Sequence, residues 1–327
     1  AKWLAKSLSY RQVYLNPKRG WIPEESQETL RRHYGDCKDL ATCAMGITKK
    51  IGFNAFPVLV SIQSGHVRPA GEVYPYGFNH VITAIQLEKS LGFPAEIQTP
   101  KGLFLLYDAT AARSTPMGLL PASHRGRSAM ICTPEGAVWV AIPDSALQQP
   151  RTDCHWKGEL NQGGNFTGNL TIRETGGWLR YVLLDSGRKA LEKRIAESVG
   201  LPPTGHITLE SNSDPMDAAS PFQVVAKLEY PNAFQRSGGE WSLARMGIPG
   251  VPGLIQPAGK PRQMPVALGG WGVSKYDFEL NAAHDLLLPQ GPLTLDTPLR
   301  HARASITGTG HQVHLELEME SKESTWS

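Results

Sequence analysis

A helical repeat, bounded at both ends and followed by strand-like segments, limits what this chain can fold into. Leu40, Ala41, Ala44, Met45, Thr48 and Ile51 recur at three- and four-residue steps, the period of a buried helical face. Asp36 stands where an N-cap belongs, its carboxylate able to accept from the open N–H groups of the first turn. Gly52 stands where a helix stops, because glycine takes the left-handed conformation at little cost. Segments 53–62, 78–85 and 102–110 are apolar and partly β-branched, and read as strands. A helix followed by antiparallel strands is an α+β layout.

Cys37 falls in the first turn of that helix. Open N–H groups and the positive end of the helix dipole favour a thiolate there, and the thiolate is the nucleophilic form. The plainer reading is a small apolar filler, which is the reading given to Cys43 on the same helix. A cysteine nucleophile needs a base, and the base needs an orienting acceptor. His80 opens the strand that follows a polar loop at 63–78, and Asp108 lies near the end of the next strand. In the order Cys37, His80, Asp108, the three can converge. N–H groups at the helix start would supply part of an oxyanion hole.

At 327 residues the chain is long enough for two domains, expected at 1–130 and 131–327. The boundary is placed in 113–134, which reads as loop through Pro116, Pro121, Gly126 and Pro134. Beyond it, 136–142, 155–160, 166–173, 206–211, 222–230, 276–281 and 311–320 read as strands. One helix at 177–199 carries an apolar stripe from Leu179 to Val199, and 245–265 reads as a Gly- and Pro-rich excursion. The second domain is therefore expected to be mainly β and sandwich-like, with one helix.

The net charge of +3 gives no case for a nucleic-acid or membrane-surface partner, and no apolar run is long enough to span a bilayer. Gly163-Gly164 and Gly269-Gly270 lack the pattern of a phosphate loop, so no cofactor is expected. No metal site is expected either: His311 and His314 fall on opposite faces of one strand, and His66 with Glu72 lacks ligand spacing. His124-Arg125-Gly126-Arg127 reads as a solvated basic loop, or as a clamp for a substrate carboxylate. Lys38 reads as helix-surface charge or as support for the thiolate, and 63–78 as a lid or a plain loop. Cys132 and Cys154 are open to pairing or to remaining free thiols.

Gly35-Asp36-Cys37-Lys38-Asp39-Leu40-Ala41, with Gly52 to Val60 after it, resembles the cysteine motif of the transglutaminase-like superfamily of papain-like enzymes. Phe78-Asn79-His80-Val81 resembles its histidine motif. Tyr107-Asp108-Ala109-Thr110 resembles its aspartate motif, with alanine where proline is commoner. The resemblance covers roughly 1–130 and implies a papain-like core with Cys37 as nucleophile, His80 as base and Asp108 as orienter. It implies a thioester formed from a peptide, protein or other amide substrate, resolved by water in a peptidase or amidase, or by an amine in an acyltransferase. It also implies a second oxyanion donor upstream, for which Tyr10, then Tyr14 and Trp21, are candidates beside their role in packing. No calcium-binding carboxylate loop is visible. A bacterial subgroup places this core between two β-rich domains, and Arg262 to Val266 and Leu286 to Pro289 are similar to the trailing one. The leading β-domain and a signal peptide are not seen in this chain, so a longer parent is expected, and the resemblance implies a periplasmic or otherwise exported site. The rival expectation is a non-catalytic binding scaffold in the cell envelope, against which the complete triad argues.

Overall fold

The computed structural model describes residues 1–12, 20–62, 77–237, 240–243, 266–267, 272–283, 291–297, 300–321 and 325–326. Tyr14, His66, Glu72, nearly all of the 63–78 loop, residues 245–265, Leu286 to Pro289 and all of Arg262 to Val266 but Val266 lie outside the described residues. The chain divides into two units, Ala1–Gln148 with Met216–Ala219, and Gln149–Pro215 with Ser220–Ser327.

The first unit opens with α1 (Lys2–Ser7), β1 (Ser9–Tyr10), α2 (Ser26–Arg32), β2 (Tyr34–Gly35) and α3 (Cys37–Lys50). There follow β3 (Ala55–Val60), β4 (His80–Leu87), β5 (Glu96–Thr99), β6 (Gly102–Tyr107), β7 (Ser128–Thr133) and β8 (Gly136–Ala141). These last six form one antiparallel sheet in the order β5-β6-β4-β3-β7-β8. α3 lies against β3 and β4, where Leu40, Ala41 and Ala44 are buried together with Val58, Val60, Ile82 and Ala84 of the sheet. Apolar spacing along α3 and apolar strands beneath it thus give one layer of helix on one of sheet.

Both ends of α3 are closed as the sequence expects. Asp36 Oδ1 accepts from the Asp39 N–H at 3.3 Å, and Asp39 Oδ2 accepts from the Asp36 N–H at 3.3 Å, a reciprocal capping box. At the other end Gly52 has φ of +95°, and the N–H of Phe53 reaches the Thr48 carbonyl at 3.2 Å. Such a cap is worth about 1 kcal/mol at each end where a side chain supplies it.

One part of this unit differs from the sequence expectation. Ser128–Thr133, inside the stretch read as loop, is strand β7, with Ala129 and Ile131 fully buried between β3 and β8. The β7–β8 hairpin therefore completes the first sheet, and the division of the chain falls after Gln148 rather than near residue 130.

The second unit contains β9 (Arg151–Leu160), β10 (Phe166–Thr175), α4 (Leu179–Ser198), β11 (His206–Asn212) and β12 (Phe222–Tyr230). Short strands β13 (Phe234–Ser237), β14 (Glu240–Leu243) and β15 (Val266–Ala267) precede β16 (Gly272–Ala282). β17 (Leu293–Asp296), β18 (Arg300–Thr309), β19 (Gln312–Ser321) and β20 (Thr325–Trp326) end it. The fold class is α+β, with a β-rich second unit that carries one α-helix among the described residues. Its long strands form a single eight-stranded sheet in the order β11-β12-β10-β9-β16-β19-β18-β17. Neighbours are antiparallel except β9 and β16, which run parallel from Arg151 opposite Val273 to Leu160 opposite Ala282.

Trp156, Phe166, Leu170, Val224 and Tyr276 are fully buried on one face of this sheet, in the same core as Leu191, Ile195 and Val199 of α4. The helix thus fills part of the place that a second sheet would take in a sandwich. α4 is also broken, not continuous: Gly187 has φ of +81° and ψ of −178°, and the chain changes course there. All four cysteines are free thiols.

Candidate active site

The capping box fixes where Cys37 sits, because Asp36 ends the extended chain and Cys37 begins the helix. Asp39 is tied further, its Oδ1 accepting the Glu24 N–H at 2.7 Å. Lys38 turns to the Asp36 carboxylate and forms an ion pair with it. Gly35 has no room for a side chain: a Cβ there would lie 2.6 Å from Asp39 Cβ and 3.1 Å from Thr29 Cγ2. The motif around the cysteine is thus largely a mount for the helix start, which explains why Gly, Asp and a second Asp stand at these positions.

The sheet supplies the next two residues. Thr83 pairs with Tyr107, so Asp108, one residue past β6, reaches the end of the sheet where His80 begins β4. His80 Nε2 and Asp108 Oδ2 are 2.9 Å apart, and both side chains are buried. Cys37 lies close enough to the His80 ring to help raise its pKa, and with Nε2 turned to Asp108 the free ring nitrogen is Nδ1. The Thr83 hydroxyl approaches the Ala41 carbonyl at 3.4 Å and fastens α3 to β4 beside this contact. Cys37, His80 and Asp108, the three residues expected from the sequence, are therefore brought together.

Their charges support one another. Burial alone would lower the pKa of His80, but the Asp108 carboxylate and then Cys37 outweigh it and push it up to about 10. Burial would raise Asp108, but the imidazole of His80 outweighs it, with help from His124 and the Thr110 hydroxyl, and holds the carboxyl at about 2. Asp108 Oδ1 accepts from the Thr110 N–H at 2.9 Å and from its hydroxyl at 2.7 Å, so Oδ2 is turned to the imidazole.

Tyr10 stands at the rim. β1 pairs in parallel with β2, which sets Tyr10 beside Gly35. Arg113 binds the Ala5 carbonyl at 3.1 Å and Ser9 Oγ at 2.8 Å, holding this strand in place. Partial burial, then the negative charge of Cys37, Asp36 and Asp108, push the Tyr10 phenol up to about 12. Trp21, the other described aromatic candidate, is 56% exposed.

His124 is the residue that sequence reasoning misplaced. It is 0% exposed, not part of a solvated loop, and its Nε2 lies 3.7 Å from Asp108 Oδ2. The rings of His80 and His124 are 5.8 Å apart between centroids. Burial lowers the pKa of His124 to about 4, so it is neutral beside a charged His80. Arg127 is also buried, while Arg125 faces Asp144 at 3.5 Å. The turn at Ala122–His124 tucks the histidine inward, and its basic neighbours disguise it as surface.

In the second unit, His155 and His314 both bond Asp277, at 3.1 and 2.6 Å, on the polar face of the sheet. Lys157 occupies Glu279 at 2.7 Å and Lys275 approaches Glu316 at 3.5 Å, so this cluster is a ladder of cross-strand ion pairs.

No protein-family model matches the chain, and no curated protein does. A solved structure from Parabacteroides distasonis ATCC 8503, reported as a "putative protease", is similar at 8% identity and a TM-score of 0.46. The likeness covers 99% of this chain and 45% of that one, so this chain spans less than half of that protein's length.

Proposed function

We propose that the first unit is a cysteine-dependent amide-bond enzyme of the transglutaminase-like kind, working through a thioester. The observation that carries this reading is the run of contacts from Cys37 at the start of α3, through His80, to the buried Asp108. In the proposed reaction the Cys37 thiolate attacks an amide carbonyl, and the tetrahedral oxyanion develops beside the first-turn N–H groups of α3. Tyr10 is the second donor to that oxyanion. His80 gives its Nδ1 proton to the leaving nitrogen as the C–N bond breaks and the thioester remains. Water or an amine then attacks, passing its proton to His80 as the C–S bond breaks. Asp108 holds the ring in register and stabilises its charged form.

Alkylation of Cys37 by iodoacetamide, followed by mass spectrometry across pH, tests the reading. Cys43 and Cys132 serve as internal standards, since burial pushes both thiols up. Cys37 should still alkylate at about pH 6, well below the free-thiol pKa of about 8.5, where the standards fall silent. His80→Ala should abolish that low-pH reactivity. If Cys37 behaves like Cys43, or if His80→Ala changes nothing, the thiolate–imidazolium pair does not exist and the scaffold reading takes its place.

A further inference from the structure

We propose that Asp108, His80 and His124 form a binding site for a divalent cation of the zinc class. Three donor atoms converge there: Asp108 Oδ2, His80 Nε2 and His124 Nε2, all within 4.8 Å of one another. Oδ2 is 2.9 Å from the first nitrogen and 3.7 Å from the second. Donors on a tetrahedral zinc at about 2.0–2.1 Å stand about 3.3 Å apart, and both oxygen–nitrogen separations lie within a few tenths of an ångström of that spacing.

The buried Nε2 of His124 has no hydrogen-bond partner, although it is aimed at a carboxylate oxygen. Its Nδ1 lies 3.5 Å from Ser123 Oγ. With Ser123 on the Nδ1 side, Nε2 is the nitrogen left facing the carboxylate oxygen. Asp108 is prepared likewise, with Oδ1 held by Thr110 and Oδ2 left toward the two rings. Two imidazoles and one carboxylate suit zinc, cobalt or nickel rather than magnesium or calcium.

An ion here replaces the proton between His80 Nε2 and Asp108, and that proton goes to solvent. His80 then keeps one proton, at Nδ1, facing Cys37. Resting on the proposed function, this makes the site an off-switch: a metal-bound His80 cannot become the imidazolium that protonates the leaving nitrogen. The thiol itself is not a ligand.

Equilibrium dialysis of the full chain with zinc chloride, with cobalt(II) absorption as a second readout, tests the site. Wild type should bind one ion per chain, and Cys37→Ser should bind it equally. His124→Ala and His124→Gln should raise the Kd by on the order of 100-fold or more, and Thr110→Val by roughly 10–100-fold. Circular dichroism checks that each variant folds. A His155→Ala/His314→Ala double variant should bind as wild type does. In the zinc-loaded wild type, Cys37 should lose its low-pH alkylation yet still react with iodoacetamide above the free-thiol pKa of about 8.5, because the ion occupies the imidazole and not the thiol. The proposal is overturned if no stoichiometric ion binds, if binding survives both His124 variants, or if it is lost with Cys37 or with the His155/His314 pair. Because binding is read in Cys37→Ser as well, its failure is distinguishable from failure of the nucleophile reading.

Discussion

Three of the four residues meeting at the candidate site are legible one at a time. Cys37 follows an N-cap, His80 opens a strand, and Asp108 closes one, so local pattern places each near an element end. His124 was not legible, because its burial comes from a turn folding back on the sheet, and its basic neighbours carry the opposite signal. Lys38 shows the same limit: sequence puts it beside Cys37, but its charge goes to the Asp36 cap. Tyr10 gives the prediction at this scale. Tyr10→Phe should leave iodoacetamide alkylation of Cys37 unchanged, since that reaction passes through no oxyanion. On an amide substrate it should cut turnover by about 10²–10³. Equal loss in both assays would make Tyr10 a structural residue only.

Among the elements, α3 is the most predictable, because capping chemistry at Asp36 and the glycine stop at Gly52 are local rules. β7 escaped because Pro121, Gly126 and Pro134 surround a short apolar run that becomes strand only when β3 and β8 flank it. The break of α4 at Gly187 was hidden by an apolar stripe that continues across it. The start of α4 carries a second prediction. Trp178 supplies no side-chain cap; instead Glu174 Oε1, from β10, accepts the Leu179 N–H at 2.6 Å. Gly177 permits this, since a Cβ there would lie 2.1 Å from the carboxylate. Burial pushes Glu174 up to about 7 against the pull of those N–H groups and Arg180. The folded state therefore holds a proton that the unfolded state releases above its ordinary value of 4.5. This group's contribution is complete below that value and is lost as pH rises through about 7. Urea unfolding should show wild type losing up to about 3 kcal/mol over that window, and Glu174→Gln should remove the slope. An unchanged slope in the variant would assign the pH dependence elsewhere.

For the whole molecule, the sequence conveyed the class and missed the arrangement. An α+β first part and a β-rich second part with one helix follow from period and turn signals. Which strands share a sheet does not, because β9 and β16 pair through backbone ladders although they lie far apart in the chain. Trp156 on β9 stacks on Phe278 of β16, with ring centroids 5.8 Å apart and planes 10° from parallel. Trp156→Ala should cost about 3–5 kcal/mol by opening a large cavity. Hydrogen exchange should then speed up in both β10 and β19, while amides of α3, which belongs to a separate core, keep their protection. Faster exchange in α3 as well would mean that one cooperative unit unfolds. The parallel contact has a further consequence. It is a seam between two ribbons, one built from residues 151–230 and the other from 272–321, each antiparallel within itself. Covalent continuity between β12 and β16 supplies effective concentration, not hydrogen bonds, to the pairing along that seam. A chain nicked there would be two peptides on a denaturing gel and one particle in solution, so the two ribbons can serve as complementary halves of a split protein.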